Sequence, residues 1–128
     1  MQVERYTKIS LLLIITGIII GALNTHYLQE IITDDKSKSL ETGIKYQLFH
    51  ALALLVLSLQ TNKFNHSINY SLILMTTGTC LFSFSIYLLT TQELLGINMS
   101  IKGPITPIGG IILIISWIIL FFSIKKKD

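Results

Sequence analysis

The chain has 128 residues, of which 51% are hydrophobic and only 13% are charged. An ordinary soluble domain carries roughly 25% charged residues, so this composition excludes one, and the length suits one compact helical unit. The net charge of +3 does not indicate nucleic-acid binding, because the basic residues flank apolar segments and form no face interleaved with aromatic residues. We therefore expect a single multi-pass membrane domain over residues 1–128, with the lipid bilayer and not nucleic acid as its partner.

Four apolar segments follow one another, and each is long enough to cross a bilayer as an α-helix. About 20 helical residues span about 30 Å, the thickness of the hydrocarbon core. The predicted helices cover approximately 8–28, 41–60, 70–91 and 104–124. The last is the clearest, since its uncharged run ends directly at Lys125 and two further lysines. The predicted fold is an all-α integral membrane four-helix bundle.

The distribution of basic residues predicts the orientation of this bundle. With four spans, both termini and the connection after the second helix share one side of the membrane. That side holds Arg5, Lys8, Lys63, Lys125, Lys126 and Lys127, against Lys36, Lys38, Lys45 and Lys102 on the other. Because Lys and Arg are enriched in cytoplasmic loops, this excess predicts that both termini are cytoplasmic.

Small residues recur at helical spacing and indicate where the helices meet. In the first helix Gly17 and Gly21 are four residues apart, which lets a neighbouring backbone approach closely. The third and fourth helices carry similar stripes of small and polar residues. The candidate helix-packing residues are Gly17, Gly21, Gly78, Ser83, Ser85, Gly109 and Gly110. These stripes are typical of interhelical contacts in a bundle.

Polar side chains near the helix ends suggest a second feature. His26 closes the first helix, Lys45 and His50 open the second, Tyr87 closes the third, and Lys102 precedes the fourth. Polar groups at membrane depth usually face the bundle interior or a watery cavity. We therefore expect a polar cap or vestibule at the extracytoplasmic end, built around His26, Lys45, His50 and Tyr87. The candidate ligand or polar-cap residues are His26, Lys45, Tyr46, Gln47, His50, Tyr87 and Thr106.

Three interpretations of His50 remain open. It donates a hydrogen bond to a carbonyl or hydroxyl of a neighbouring helix, which we favour, or it handles a proton or binds a headgroup, quinone or small ligand. In the third it ligates a metal or haem together with His26, but the sequence specifies no macrocycle site, and we predict neither metal nor cofactor. Trp117, close to the lysine run, is interpreted as an interfacial anchor, and Cys80 as a buried, inert thiol.

Three segments resemble a known family. They are Gly21-Ala-Leu-Asn-Thr-His-Tyr-Leu28, Thr42-Gly-Ile-Lys-Tyr-Gln-Leu-Phe-His-Ala-Leu-Ala-Leu54, and the stretch from Gly78 through Phe82-Ser-Phe-Ser-Ile-Tyr87 to Thr106-Pro-Ile-Gly-Gly110 and Trp117. The chain resembles the small four-helix membrane proteins of domain-of-unknown-function family 423, the YgdD/YwdK-like proteins. It departs from their pattern where Asn24, Tyr27 and Phe84 replace glycines and where Lys45 replaces the more usual arginine.

The resemblance implies a multi-pass protein of the plasma membrane, which is the bacterial inner membrane, but it implies no activity, since the family has none established. Our first hypothesis is a non-catalytic membrane scaffold or accessory subunit that binds a membrane-protein partner or itself. The alternative is an oligomeric transporter or channel for a small solute, proton or lipid that passes Lys45 and His50. A membrane redox protein or enzyme is a weaker alternative, because no nucleophile and base are recognisable, and we predict no catalytic residues.

Overall fold

The structure, a computed structural model, describes residues 2–98 and 104–125, in which four long helices follow one another. Helix α1 covers Gln2–Leu23, a π-helical turn at Asn24–Leu28 and Gln29–Ile31. Helix α2 covers Asp34–Leu59. Helix α3 covers Ile68–Thr79, a π-helical turn at Cys80–Phe84 and Ser85–Leu95, and helix α4 covers Ile105–Ser123. All four are long and apolar enough to cross a membrane, which confirms the predicted all-α membrane fold.

Helix α2 begins earlier than the sequence interpretation placed it. Instead of starting near Glu41, it starts at Asp34, and the hydroxyl of Thr33 accepts a hydrogen bond from the Lys36 amide. Thr33 is therefore an N-cap, and Asp34 and Asp35 in the first turn favour the positive end of the helix dipole. Residues 34–40, which precede the predicted start of this helix, thus form its first turns.

This earlier start changes the depth of the polar residues on α2. His50 lies about 24 Å along the helix from Asp34 and about 14 Å before Leu59, at a rise of 1.5 Å per residue. The expectation that Lys45 and His50 open this helix is therefore wrong. They lie near its middle.

The end of α4 meets the connection between α2 and α3 at one end of the bundle. The Asn65 amide donates to the Ser123 carbonyl at 2.8 Å, and the Lys125 amide donates to the Lys63 carbonyl at 3.2 Å. At the same end the hydroxyl groups of Thr7 on α1 and Ser58 on α2 are hydrogen-bonded to each other at 3.1 Å. This end carries the basic residues of the orientation argument, although Lys126 and Lys127 lie outside the described residues. Its cytoplasmic location stays a prediction.

Glycines bring the helix backbones together. A Cβ placed on Gly109 of α4 would lie 2.5 Å from the backbone nitrogen of Phe82, and one on Gly78 of α3 would lie 3.0 Å from the Leu113 nitrogen. A Cβ on Gly17 would meet the Leu48 side chain at 2.7 Å. Gly21 and Gly110 have room, with nearest atoms at 3.7 Å. Helices α3 and α4 therefore approach most closely where Gly109 faces the π-helical turn of α3.

An apolar core lies between the helices, while the outward faces are also apolar. Buried residues of the larger hydrophobic cluster come from all four helices: Tyr6, Leu13, Ala51, Leu54, Leu57, Ile68, Leu72, Met75, Leu113 and Leu120. The outward side chains include Ile18 and Phe122, which are 59% and 74% exposed. Apolar side chains outside as well as inside are what a bilayer solvent requires.

Candidate functional site

A buried glutamine joins three helices near the middle of the bundle. Gln47 of α2 is fully buried, and its Nε2 donates to the Leu13 carbonyl at 2.7 Å and to the Thr16 hydroxyl at 2.8 Å, both on α1. From α3, the Tyr87 hydroxyl donates to Gln47 Oε1 at 2.7 Å. The Leu13 carbonyl only accepts, so it fixes which way round the amide lies. Gln47 is therefore a structural link between α1, α2 and α3.

The other buried hydroxyls also bond across helices. Ser83 donates to the Gly43 carbonyl at 2.8 Å, Ser71 donates to the Ser116 carbonyl at 2.8 Å, and Ser85 bonds Thr106 at 2.6 Å. Among the residues that the structure describes, every buried side-chain nitrogen and oxygen has a hydrogen-bond partner. The polar interior is thus self-contained, as expected where an unpaired group would have no water to turn to.

His50 is held by one bond on each side of its ring. Nδ1 lies 2.8 Å from the Tyr46 carbonyl one turn earlier, and the Trp117 indole Nε1 donates to His50 Nε2 at 3.1 Å. Since a carbonyl only accepts, Nδ1 carries the proton and Nε2 accepts from Trp117, which describes a neutral ring. This geometry fits the structural interpretation of His50, although its carbonyl partner lies in its own helix. The Nε2 lone pair that a metal would need is already engaged.

Trp117, which we expected to be an interfacial anchor, also has a partner within the bundle. Its ring takes part in an aromatic cluster of Tyr46, Phe49, His50, Phe82 and Trp117, which joins α2, α3 and α4. The Tyr46 and Phe82 ring centroids are 4.5 Å apart, and the Phe49 and Trp117 centroids are 6.0 Å apart. His50 lies 6.0 Å from Trp117 and 5.1 Å from Phe49. The indole thus packs against α2, and His50 provides the acceptor for its N–H.

A groove runs along this cluster on the outward side of α2. One depression, of about 290 Å³, is bounded by Phe49, Leu52, Ala53, Val56, Leu57 and Trp117. A second, of about 350 Å³, is bounded by Lys45, Tyr46, Phe49 and His50. The two meet at Phe49. We call them together the α2–α4 groove, because α2 provides one wall and Trp117 of α4 provides the other.

His26 lies elsewhere. It is exposed on the π-helical turn of α1, in a depression of about 580 Å³ bounded by Ile19, Ala22, Leu23, His26 and Tyr27. We call this surface the His26 face. Within the described residues its imidazole has no hydrogen-bond partner. Two other polar residues of this turn are hydrogen-bonded: Asn24 points inward and accepts from Ser37 at 3.3 Å, and the Thr25 hydroxyl donates to the Gly21 carbonyl at 3.1 Å.

The expected vestibule around His26, Lys45, His50 and Tyr87 is therefore not assembled. Lys45 and His50 share the α2–α4 groove, Tyr87 is buried against Gln47, and His26 lies on α1. Thr106 bonds Ser85 in the interior. Lys102 lies outside the described residues. Apolar runs predict how far each residue lies along its helix, but they do not predict how that helix is rotated about its axis, and this rotation decides which side chains meet.

The contribution of some residues was missed. Thr16, Gly43 and Phe49 complete the polar link and the groove, although none was singled out. Phe49 had a detectable signal, since it lies four residues after Lys45 and so shares its face of α2. In the described part of the chain no group of three or more His, Cys, Asp or Glu side chains could hold a metal ion. The Cys80 thiol is free and half-buried.

Comparison with known proteins identifies the relatives of the chain. The sequence model of one family, described as "Protein of unknown function (DUF423)", matches residues 20–110. UPF0382 membrane protein YwdK of Bacillus subtilis (strain 168) is 36% identical over 109 residues, covering 84% of this chain and 85% of YwdK. UPF0382 membrane protein SAB0533 of Staphylococcus aureus is 34% identical, covering 83% of each. UPF0382 membrane protein C1782.12c of Schizosaccharomyces pombe is 36% identical, covering 80% of this chain and 89% of that protein. No solved structure matches significantly.

Proposed function

The chain belongs to the DUF423 family of proteins of unknown function, and we propose that it is a non-catalytic accessory or scaffold protein that binds another membrane protein within the bilayer. The observation that carries this proposal is the exposed His26 on the π-helical turn of α1. Polar side chains in membrane spans usually bond inside the bundle, and those that do not are candidates for function.

The remaining surface supports recognition within the membrane. Helices α1 and α2 are joined through Ile32 and Thr33 alone, and α2 and α3 through residues 60–67. Short connections leave little water-exposed surface for a soluble partner. The polar interior is occupied by its own hydrogen bonds. A partner therefore meets the outward faces of the helices, and the His26 face offers an imidazole that has no hydrogen-bond partner among the described residues.

The chemistry of that face suits a helix. Ala22 is small and lies one turn before His26, so a neighbouring backbone can approach the imidazole and hydrogen-bond to it. A π-helical turn is an irregularity that is often found at functional sites. We therefore assign the partner-binding role to Ile19, Ala22, Leu23, His26 and Tyr27.

Photo-crosslinking in native membranes tests this assignment. A photoreactive residue at Ala22 is expected to give a discrete crosslinked product with a second membrane protein, and one at Leu12, exposed on the same helix, is expected to give none. His26→Leu in the Ala22 variant should remove the product. Crosslinking at both positions, or a product insensitive to His26→Leu, would contradict the proposal.

Native mass spectrometry of the 14.4 kDa chain, released gently from its own membrane, provides an independent measurement. We expect the added mass of a different protein, lost with His26→Leu and retained with Lys63→Gln. An added mass equal to further copies of this chain would indicate self-association in place of an accessory role. A bare monomer would contradict both.

We also propose that the membrane is the plasma membrane and that both termini are cytoplasmic, on the count of Lys and Arg at the two ends. Single cysteines at Asn62 and Asp34, in a Cys80→Ser background, test this with an impermeant maleimide on intact cells. Labelling at Asp34 alone is expected. Labelling at Asn62 alone would reverse the orientation. We do not adopt the channel hypothesis, because His50 and Tyr87 are engaged with other side chains and no observation favours a conduit.

A further inference from the structure

The α2–α4 groove follows one stripe of α2. Its outer edge is Lys45, Phe49, Leu52 and Val56, at intervals of four, three and four residues, which places them in line on one face of a helix. Its inner edge is Tyr46, His50, Ala53 and Leu57, displaced by one residue. The two depressions, which share Phe49, together extend along α2 for about 17 Å from Lys45 to Val56, roughly half the thickness of the hydrocarbon core.

The groove is concave beside His50 and Leu57, where its two edges differ in exposure, whereas Tyr46 on the inner edge is 44% exposed. Phe49, Leu52 and Val56 are 53–61% exposed, whereas His50 and Leu57 are 4% and 8% exposed. Trp117 rises from α4 as the opposite wall and is fixed by its hydrogen bond to His50. The depression by Trp117 has only apolar side chains from α2, so it offers no hydrogen bond to a polar occupant.

The groove is polar at one end only. Lys45 is exposed, and within the described residues it has no carboxylate partner, whereas Lys8 is paired with Glu4 and Lys36 with Glu93. Lys45 lies about 6 Å, four residues, inside the level of Glu41. From that depth a lysine side chain extends along the helix so that its ammonium group reaches the headgroup region.

We propose that the α2–α4 groove is a binding site for one anionic phospholipid. The Lys45 ammonium pairs with the phosphate, and one acyl chain lies along Phe49, Ala53 and Val56 against Trp117. The order of polar and apolar groups along the groove matches that of a phospholipid, with the Lys45 ammonium at the headgroup end and apolar side chains along the tail. An apolar transmembrane partner helix would leave the Lys45 charge unmatched, and the phosphate of an anionic lipid matches it.

The chain has one tryptophan, and it lines the groove. Trp117 fluorescence therefore reports contact with brominated acyl chains at this site. The full chain is reconstituted in phosphatidylcholine, and equal mole fractions of brominated phosphatidylglycerol or brominated phosphatidylcholine are titrated in. One lysine near the surface is expected to give the anionic lipid about a five-fold preference in apparent binding, with quenching that saturates.

Two variants separate a site from general attraction to the protein surface. Lys45→Gln should reduce the preference to about one-fold, and Lys63→Gln, an exposed lysine at the other end of the bundle, should leave it unchanged. Ala53→Leu keeps the charge but fills the groove, so it should abolish the preference too, with helicity by circular dichroism confirming that the variant is folded.

Three results would overturn the proposal. The first is equal quenching by the two lipids in the unsubstituted chain. The second is a preference that survives Lys45→Gln. The third is a preference that survives Ala53→Leu in the folded variant, since this would mean that Lys45 attracts surrounding lipids without a groove. The outcome is independent of the His26 face, so the accessory role and the lipid site are tested separately.

Discussion

The two π-helical turns of this protein have the same length and opposite surroundings. The turn at Cys80–Phe84 in α3 lies against Gly109 of α4, and its Ser83 bonds the Gly43 carbonyl of α2. The turn at Asn24–Leu28 in α1 buries only Asn24 and leaves His26 and Tyr27 outside. One irregularity shapes the bundle and the other shapes its surface. A π-helical turn therefore indicates a role only together with what it faces.

The largest effect is expected at the contact between α4 and the buried turn. Gly109→Val would place a Cβ 2.5 Å from the Phe82 backbone nitrogen, so α3 and α4 must separate. We expect a loss of about 3 kcal/mol in the free energy of unfolding, measured by denaturant titration in detergent micelles. Gly110→Ala is the matched control, because its Cβ would have its nearest neighbour at 3.7 Å. If both variants are equally stable, the turn is not a packing device.

Gln47 is buried but lies in the regular helix α2, so its substitution tests whether burial contributes more to stability than the irregular backbone of a π-helical turn. Gln47→Leu removes the acceptor of the buried Tyr87 hydroxyl and a donor to α1. We expect a loss of about 2 kcal/mol in the free energy of unfolding, because a buried donor is left unpaired. Gln29→Leu, at an exposed position of α1, should cost far less. Equal losses would show that the buried link contributes nothing.

Ser83→Ala removes one interhelical hydrogen bond from the buried turn. Such bonds in membrane proteins average about 0.6 kcal/mol, so a loss of that order in unfolding free energy is expected. Thr76→Ala is a suitable control, since the Thr76 hydroxyl bonds only the Leu72 carbonyl of its own helix. If the Ser83 variant is as stable as the Thr76 variant, the hydrogen bond to the Gly43 carbonyl does not contribute to holding α2 and α3 together.

The smallest change in stability is expected at the exposed turn. His26→Leu replaces a side chain without a partner in the described residues, so the free energy of unfolding should change by less than about 0.5 kcal/mol. Asn24→Leu, in the same turn, should cost more because it breaks the contact with Ser37. A larger loss for His26→Leu than for Asn24→Leu would reverse the comparison and make the exposed turn structural.

Much of the fold was predictable because it depends on composition over some 20 residues at a time. The four spans followed from apolar runs alone. The start of α2 was missed although Thr33, Asp34 and Asp35 carry an N-cap signal, because we assigned charged residues to a connection. In this chain they form the first turn of the helix, ahead of its apolar part.

The candidate site was less predictable, for a geometric reason. The sequence brought out Gln47 and His50, but their partners lie 31 and 67 positions away. Such pairs depend on how each helix is rotated about its axis. The two π-helical turns add to this difficulty, since each shifts the facing of the residues that follow it. Neither turn has a proline or glycine pattern that would have predicted it.

The two-residue junction between α1 and α2 has a consequence for how the protein is made. Because only Ile32 and Thr33 separate them, the first two helices form a tight hairpin, and we expect its two arms to enter the bilayer together. Helices α3 and α4 form their own close contact at Gly109. The backbone hydrogen bonds that Lys63 and Asn65 share with Lys125 and Ser123 can form only once the end of α4 is in place. Assembly would then proceed as two hairpins that dock late, and the hydrogen bond between Tyr87 and Gln47 would form last.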